Sequence, residues 1–224
     1  MAILGVHTKA KPLGEKRVVA WHEAGHAIAS ELLPSVDKVQ KVSIVPRGKA
    51  LGYTLNLPHE DRYLKSRGEL IDYMKVLLAG RVAEQITFGR VTTGAADDLK
   101  RVTQIARSMV YEYAMGTQIR SHQLPSDDFS LSESTRQTRD EEVQAIAEEA
   151  YRGAHGLLSD HRDLLDLVAE RLIENEVIER EEIQAIMRAH REANGSAPVT
   201  EEVQAVSRER AMASQPPTDA PDGK

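Results

Sequence analysis

Apolar and small residues recur at helical spacing over residues 15–33, where Val18, Gly25, Ala29 and Leu33 share one face with His22 and His26. Pro34 stops that helix. Over 41–45 and 52–57 the period shortens to two: Val42 and Ile44, then Tyr53, Leu55 and Leu57, alternate with polar neighbours. This predicts two short strands, punctuated by Pro46, Gly48 and Gly52. Ser66-Arg67-Gly68-Glu69 has the form of a capping box opening a second helix, which turns Leu70, Met74, Leu77 and Leu78 inward and closes at Phe88-Gly89. An extended piece over 90–93 leads through Gly94 into a third helix over 96–114. Its buried stripe is expected to be Leu99, Val102, Ala106, Met109, Val110 and Tyr113.

Residues 116–139 are polar and lack a period, which reads as a mobile loop. Three charged amphipathic helices follow at 140–158, 161–174 and 180–191; the run 141–149 reads as a solvated face. The chain thus divides into a flexible lead (1–15), one domain (16–193) and a polar, disordered tail (194–224) with one weak helix at 201–212. Within the domain, 16–115 holds the candidate metal-binding part, 116–139 the loop and 140–193 the C-terminal helices. The fold class expected is mainly α, with a small β-sheet next to the first helix and a C-terminal helical bundle.

Composition narrows the chemistry. The 224 residues are 41% hydrophobic but only 4% aromatic, so the core must be built from Leu, Ile, Val and Ala. A net charge of −6 lacks the basic stripe of a nucleic-acid binder. There is no cysteine, so a metal would have to be held by His, Asp and Glu. No run approaches the ~20 apolar residues that span a bilayer, and the N-terminus lacks a signal-peptide core, so the chain as it stands reads as soluble. The usual nucleotide-binding G-x-x-x-x-G-K-[ST] is missing too.

His22-Glu23-Ala24-Gly25-His26 is H-E-x-x-H on a helix. Four residues apart, the two histidines stack on one face and can share one tetrahedral metal. Glu23 lies about 100° round the helix, where its carboxylate reaches a water rather than the metal and can act as general base. Gly25 in mid-helix costs about 1 kcal/mol relative to Ala, which points to close approach by another segment. Such a site needs a third ligand, and the position for a third histidine is Leu32. The remaining candidates are Glu84 on the second helix and the pair Asp97 and Asp98 opening the third; the residues alone leave these open. His155 and His161, six apart, do not share a face, and His59 reads as a loop residue.

Four blocks occur in order: residues 19–27 around H-E-x-x-H, Leu78-Ala79-Gly80-Arg81-Val82-Ala83-Glu84, Thr93-Gly94-Ala95-Ala96-Asp97-Asp98-Leu99, and Ala106-Arg107-Ser108-Met109-Val110. Together they resemble the FtsH family of ATP-dependent zinc metalloproteases over residues 16–187. The resemblance implies a zinc metalloendopeptidase module with one Zn2+ per chain. The metal ligands it implies are His22, His26 and Asp98, with Glu23 catalytic and Glu84 orienting a ligand histidine. It also implies a strand edge that takes up substrate, with Val42, Ile44, Gly52, Tyr53 and Thr54 as the residues concerned. Around this module it implies unfolded or membrane-protein substrates, a homohexamer, an AAA ATPase domain and a place on the cytoplasmic face of a membrane. Residues 113–118 fit the family loosely, and neither membrane spans nor the ATPase domain lie in the 224 residues. The alternative reading is a catalytically silent interaction module on the same fold.

Overall fold

A computed structural model describes residues 13–46, 51–56, 64–123 and 131–195. His59, Leu57, most of the N-terminal lead and the tail beyond 195, with its expected weak helix, lie outside the described residues. The chain falls into two units, Met1–Ile186 and Met187–Lys224. Among the described residues the elements run α1 (Leu13–Leu32), β1 (Val39–Ser43), β2 (Tyr53–Asn56), α2 (Arg67–Phe88), α3 (Ala96–Tyr111), α4 (Glu133–Asp160), α5 (Arg162–Asn175), β3 (Val177–Glu179) and α6 (Arg180–Ala193). The architecture is mainly α with a small sheet, as the hydrophobic pattern predicts, but the sheet has three strands rather than two.

Helix α1 is the centre of the first unit. Ala20, Ala24, Ala27, Ile28 and Ala29 are all buried, so it has no polar face over its middle turns. Small residues let α2 come close. A methyl group built on Gly25 would meet the Ala79 carbonyl oxygen at 2.5 Å and the Ala83 Cβ at 2.8 Å, which explains the mid-helix glycine. After Leu32 the chain turns at Pro34, and Lys38 folds back to donate to the carbonyls of Ser30, Glu31 and Leu33 at 2.8–3.1 Å. These are the orphan acceptors at the helix end, and a cation suits the negative end of the helix dipole.

Helix α2 opens as expected: Ser66 accepts from the Glu69 amide while Glu69 reaches back to the Ser66 amide at 2.7 Å. Its far end is tied to α5, because Arg162 donates to the Ile86 carbonyl at 3.0 Å and pairs with Asp166 at 3.0 Å. Asp166 also accepts from the Trp21 indole at 2.7 Å, so α1, α2 and α5 are cross-linked one residue before His22.

The sheet order is β2-β1-β3, all antiparallel, with Val42 opposite both Thr54 and Ile178. Strand β3 was not foreseen: three residues between two helices are too few to show a period. In the extended piece expected over 90–93, Thr92 is extended and a 3-10 turn at Thr93–Ala95 takes over at its end.

Two stripe assignments are corrected. Leu99 and Tyr113 are exposed: Leu99 precedes the buried side of α3, which is Val102, Ala106, Met109 and Val110 alone, and Tyr113 lies beyond the helix end at Tyr111. Helix α4 begins at Glu133, capped by Ser132, seven residues before the expected start. Residues 124–130 are outside the described set, but 117–119 are anchored. Glu142 on α4 accepts from the Thr117 amide and hydroxyl and from the Gln118 and Ile119 amides. It is buried rather than on a solvated face; burial opposes its charge, but these donors hold its carboxyl below the usual range.

The second unit is described only as far as 195, through the last turns of α6.

Candidate metal centre

Three donor atoms meet where α1, α2 and the start of α3 converge. The Nε2 atoms of His22 and His26 are 3.1 Å apart, and Asp98 Oδ2 lies 3.8 Å from the first and 3.6 Å from the second. Among the described residues this is the one cluster of His, Asp or Glu compact enough to hold a metal ion. A triangle with those edges has its centre roughly 2 Å from each corner, the bond length of His nitrogen and carboxylate oxygen to zinc. The donor set therefore fits a divalent ion.

The backs of both rings fix which nitrogen faces that point. His22 Nδ1 is 2.7 Å from Glu84 Oε1, and His26 Nδ1 is 2.7 Å from the Val76 carbonyl oxygen. A carbonyl only accepts, so His26 carries its hydrogen on Nδ1 and presents a lone pair at Nε2. An ionised Glu84 does the same for His22. Burial opposes ionisation of Glu84, but the His22 ring and the Thr92 amide and hydroxyl outweigh it and keep the carboxyl below its ordinary range.

Without a metal, two lone pairs 3.1 Å apart would repel, so one proton belongs between them. Burial works against the charge on His22, yet Asp98, Glu84 and Glu23 together raise it to about 9. His26, buried beside that cation, is lowered to about 4. Asp98 is drawn below its usual range against the cost of its own burial, by His22 first and then His26 and Arg101. The metal-free centre thus holds one proton at pH 7, and an entering ion must displace it. We predict that binding near pH 7 releases about one proton per ion from this pair. Because His22 is protonated below pH 9, the apparent dissociation constant should fall about tenfold per pH unit between 6.5 and 8.5 and level off near 9. Titrations in buffers of different ionisation enthalpy would show it; a pH-independent affinity would contradict this protonation.

Asp97 and Asp98 are separated by their surroundings. The Asp97 side chain is 91% exposed and pairs with Lys100, whereas Asp98 turns towards the histidines. Glu84 is 1% exposed, with both oxygens committed to His22 and Thr92.

Glu23 is buried on α1, and its Oε2 accepts from the Thr54 hydroxyl at 3.0 Å. Gly52 lies against it so closely that a Cβ there would come within 2.6 Å of Glu23 Oε1 and 2.9 Å of the Ser43 carbonyl oxygen. The expected substrate-contacting residues therefore split. Val42 is buried in the central strand with partners on both sides, and Ile44, also buried, gives its amide to the Glu176 carbonyl at 2.9 Å. Neither can pair with an added strand. Gly52, Tyr53 and Thr54 lie on or beside β2, the outer strand.

Sequence reasoning missed three contributors. Gly80 faces both rings: a Cβ there would be 2.5 Å from His26 Nε2 and 2.6 Å from His22 Nε2. A glycine inside a helix was the signal for it. Thr92 preceding a helical turn carried the signal of an N-cap. The Val76 carbonyl carried none, since every residue has one.

The family model for Peptidase family M41 matches residues 10–186. A protein of Syntrophobacter fumaroxidans named ATP-dependent zinc metalloprotease FtsH is 48% identical over 184 residues, 76% of this chain and 28% of its own length. Relatives with that enzyme name from Symbiobacterium thermophilum and Thermotoga maritima are 43% and 42% identical, each over 77% of this chain and 30% of the relative. The chain thus matches less than a third of each relative's length.

Proposed function

The chain belongs to peptidase family M41, and on that premise we propose that it hydrolyses peptide bonds as a zinc metalloendopeptidase. In this reading His22, His26 and Asp98 hold one zinc ion and Glu23 is the general base. The observation that carries it is the triangle of three donor atoms with both rings' Nε2 turned inward. When bound, zinc polarises a substrate carbonyl and eases the deprotonation of water.

The chain's own groups supply the rest. Glu23 takes the proton of the attacking water at Oε1, the oxygen not engaged by Thr54, and returns it to the leaving amine nitrogen. Thr54 fixes the carboxylate's rotation. Glu84 and the Val76 carbonyl keep hydrogens on the two Nδ1 atoms, so both Nε2 lone pairs stay available. The outer edge of β2 at Tyr53 and Thr54, with Gly52 beside it, receives an extended peptide as an added strand. Main-chain hydrogen bonds then give affinity with little demand on sequence.

The peptidase domain we propose is 16–193; the family match covers 10–186. The relatives' names give ATP dependence; the wider setting we propose is an AAA ATPase domain that feeds unfolded or membrane proteins to a homohexamer of such modules at the cytoplasmic face of a membrane. Among the described residues no helix is long and apolar enough to cross a membrane. Zinc content and casein hydrolysis of the purified chain test the proposal. We expect about one zinc per chain, activity lost to a chelator and restored by zinc. Zinc without cleavage would favour a silent module on this fold; no zinc would overturn the reading.

A further inference from the structure

Glu84 is a carboxylate 1% exposed on α2, and it does more than face His22. Its second oxygen accepts the Thr92 amide at 2.7 Å, and the Thr92 hydroxyl donates to its first at 3.2 Å. The same hydroxyl oxygen accepts from the Gly94 amide at 3.2 Å, which caps the turn Thr93–Ala95. That turn runs directly into α3, whose third residue is Asp98.

Ahead of Val102 on α3, few buried side chains fix this corner. Val91, Thr92, Thr93, Gly94, Ala96 and Asp97 are exposed, and Ala95 alone of the turn is buried. Asp98 Oδ2 must nevertheless be held within a few tenths of an ångström of its place opposite two rings, since metal bond lengths tolerate little error. The two sides of the metal triangle come from different elements, the histidines from α1 and the carboxylate from α3. Glu84 and Thr92 are where the two sides are joined.

We propose that Thr92 is a positioning residue of the metal site, clasping the segment that delivers Asp98 to the carboxylate that orients His22. This rests on the metallopeptidase reading above. The clasp sets how firmly the ion is kept and leaves the acid–base chemistry to Glu23. A bare N-cap threonine would do something else: it would stabilise α3 and leave the ion untouched.

Three variants separate the two. Thr92→Ser keeps the hydroxyl, Thr92→Val removes it at equal size, and Thr92→Asp keeps a good N-cap but sets a second carboxylate against Glu84. The readouts are the rate of zinc loss to a competing chelator and the melting temperature of the metal-free chain. We expect Thr92→Val to lose zinc about tenfold faster than wild type, the low end for partners of metal ligands. Thr92→Asp, which keeps an acceptor for the Gly94 amide, should lose it at least as fast, and Thr92→Ser should be close to wild type. Wild-type zinc retention in both the Val and Asp variants would overturn the proposal. So would faster loss confined to the variant whose metal-free form melts lower, which would leave a cap and no clasp. A wild-type chain that binds no zinc would overturn the metallopeptidase reading, and this inference with it.

Discussion

Replacing Glu23 with Gln should leave the zinc in place and lower kcat by roughly 10³-fold, the middle of the range for loss of a positioned acid–base group. The amide has the carboxylate's shape, and its oxygen can still accept from the Thr54 hydroxyl, so the buried side chain keeps its position. The three donor atoms of the centre belong to other residues. What disappears is the ability to take a proton from water and hand it to the leaving nitrogen. KM should change little, because the β2 edge and Gly52 are untouched. Zinc content by atomic absorption and peptide hydrolysis on the same samples would check it. A variant that loses its zinc would make Glu23 part of the metal site rather than the base. One retaining more than a tenth of wild-type turnover would place the base elsewhere.

Much of this site was legible because its chemistry sits on regular elements. Two histidines four apart on a helix must share a face, and a capping box must start a helix, whatever surrounds them. The choice between Glu84 and the aspartates was not open to such reasoning. It turns on which carboxylate is already engaged: Glu84 is held by Thr92 and by His22 Nδ1, Asp97 is out in solvent with Lys100, and of the three Asp98 faces the two Nε2 atoms. Alternation placed Val42 on a strand correctly, with Ile44 one residue past its end, but could not tell a central strand from an edge, because that depends on β3, a three-residue strand from the far end of the chain's fold. The loop after α3 shows the same limit. Polar composition suggested mobility, yet one buried carboxylate, Glu142, orders residues 117–119 through contacts more than twenty residues away.

Helix propensity and site geometry make opposite predictions for Gly80, and the geometry should win. Alanine is favoured over glycine inside a helix by about 1 kcal/mol, so propensity alone has Gly80→Ala stabilise α2. The added methyl, however, would lie 2.5 Å from His26 Nε2 and 2.6 Å from His22 Nε2, the two nitrogens that face the metal position. To make room the rings must turn, and turning them breaks the Nδ1 bonds to the Val76 carbonyl and to Glu84. We therefore expect zinc affinity to fall by about 100-fold or more, at or beyond the upper end for loss of a ligand's orienting partner, with peptidase activity falling alongside. Gly156→Ala is the matched control: it lies inside α4 with nothing within 4 Å of the added Cβ, so it should gain up to about 1 kcal/mol and keep its zinc. Competitive chelator titration and melting of the metal-free proteins would separate the effects. Wild-type affinity in Gly80→Ala would mean that the ion does not sit between these two nitrogens, and the ligand set proposed for this chain would have to be redrawn.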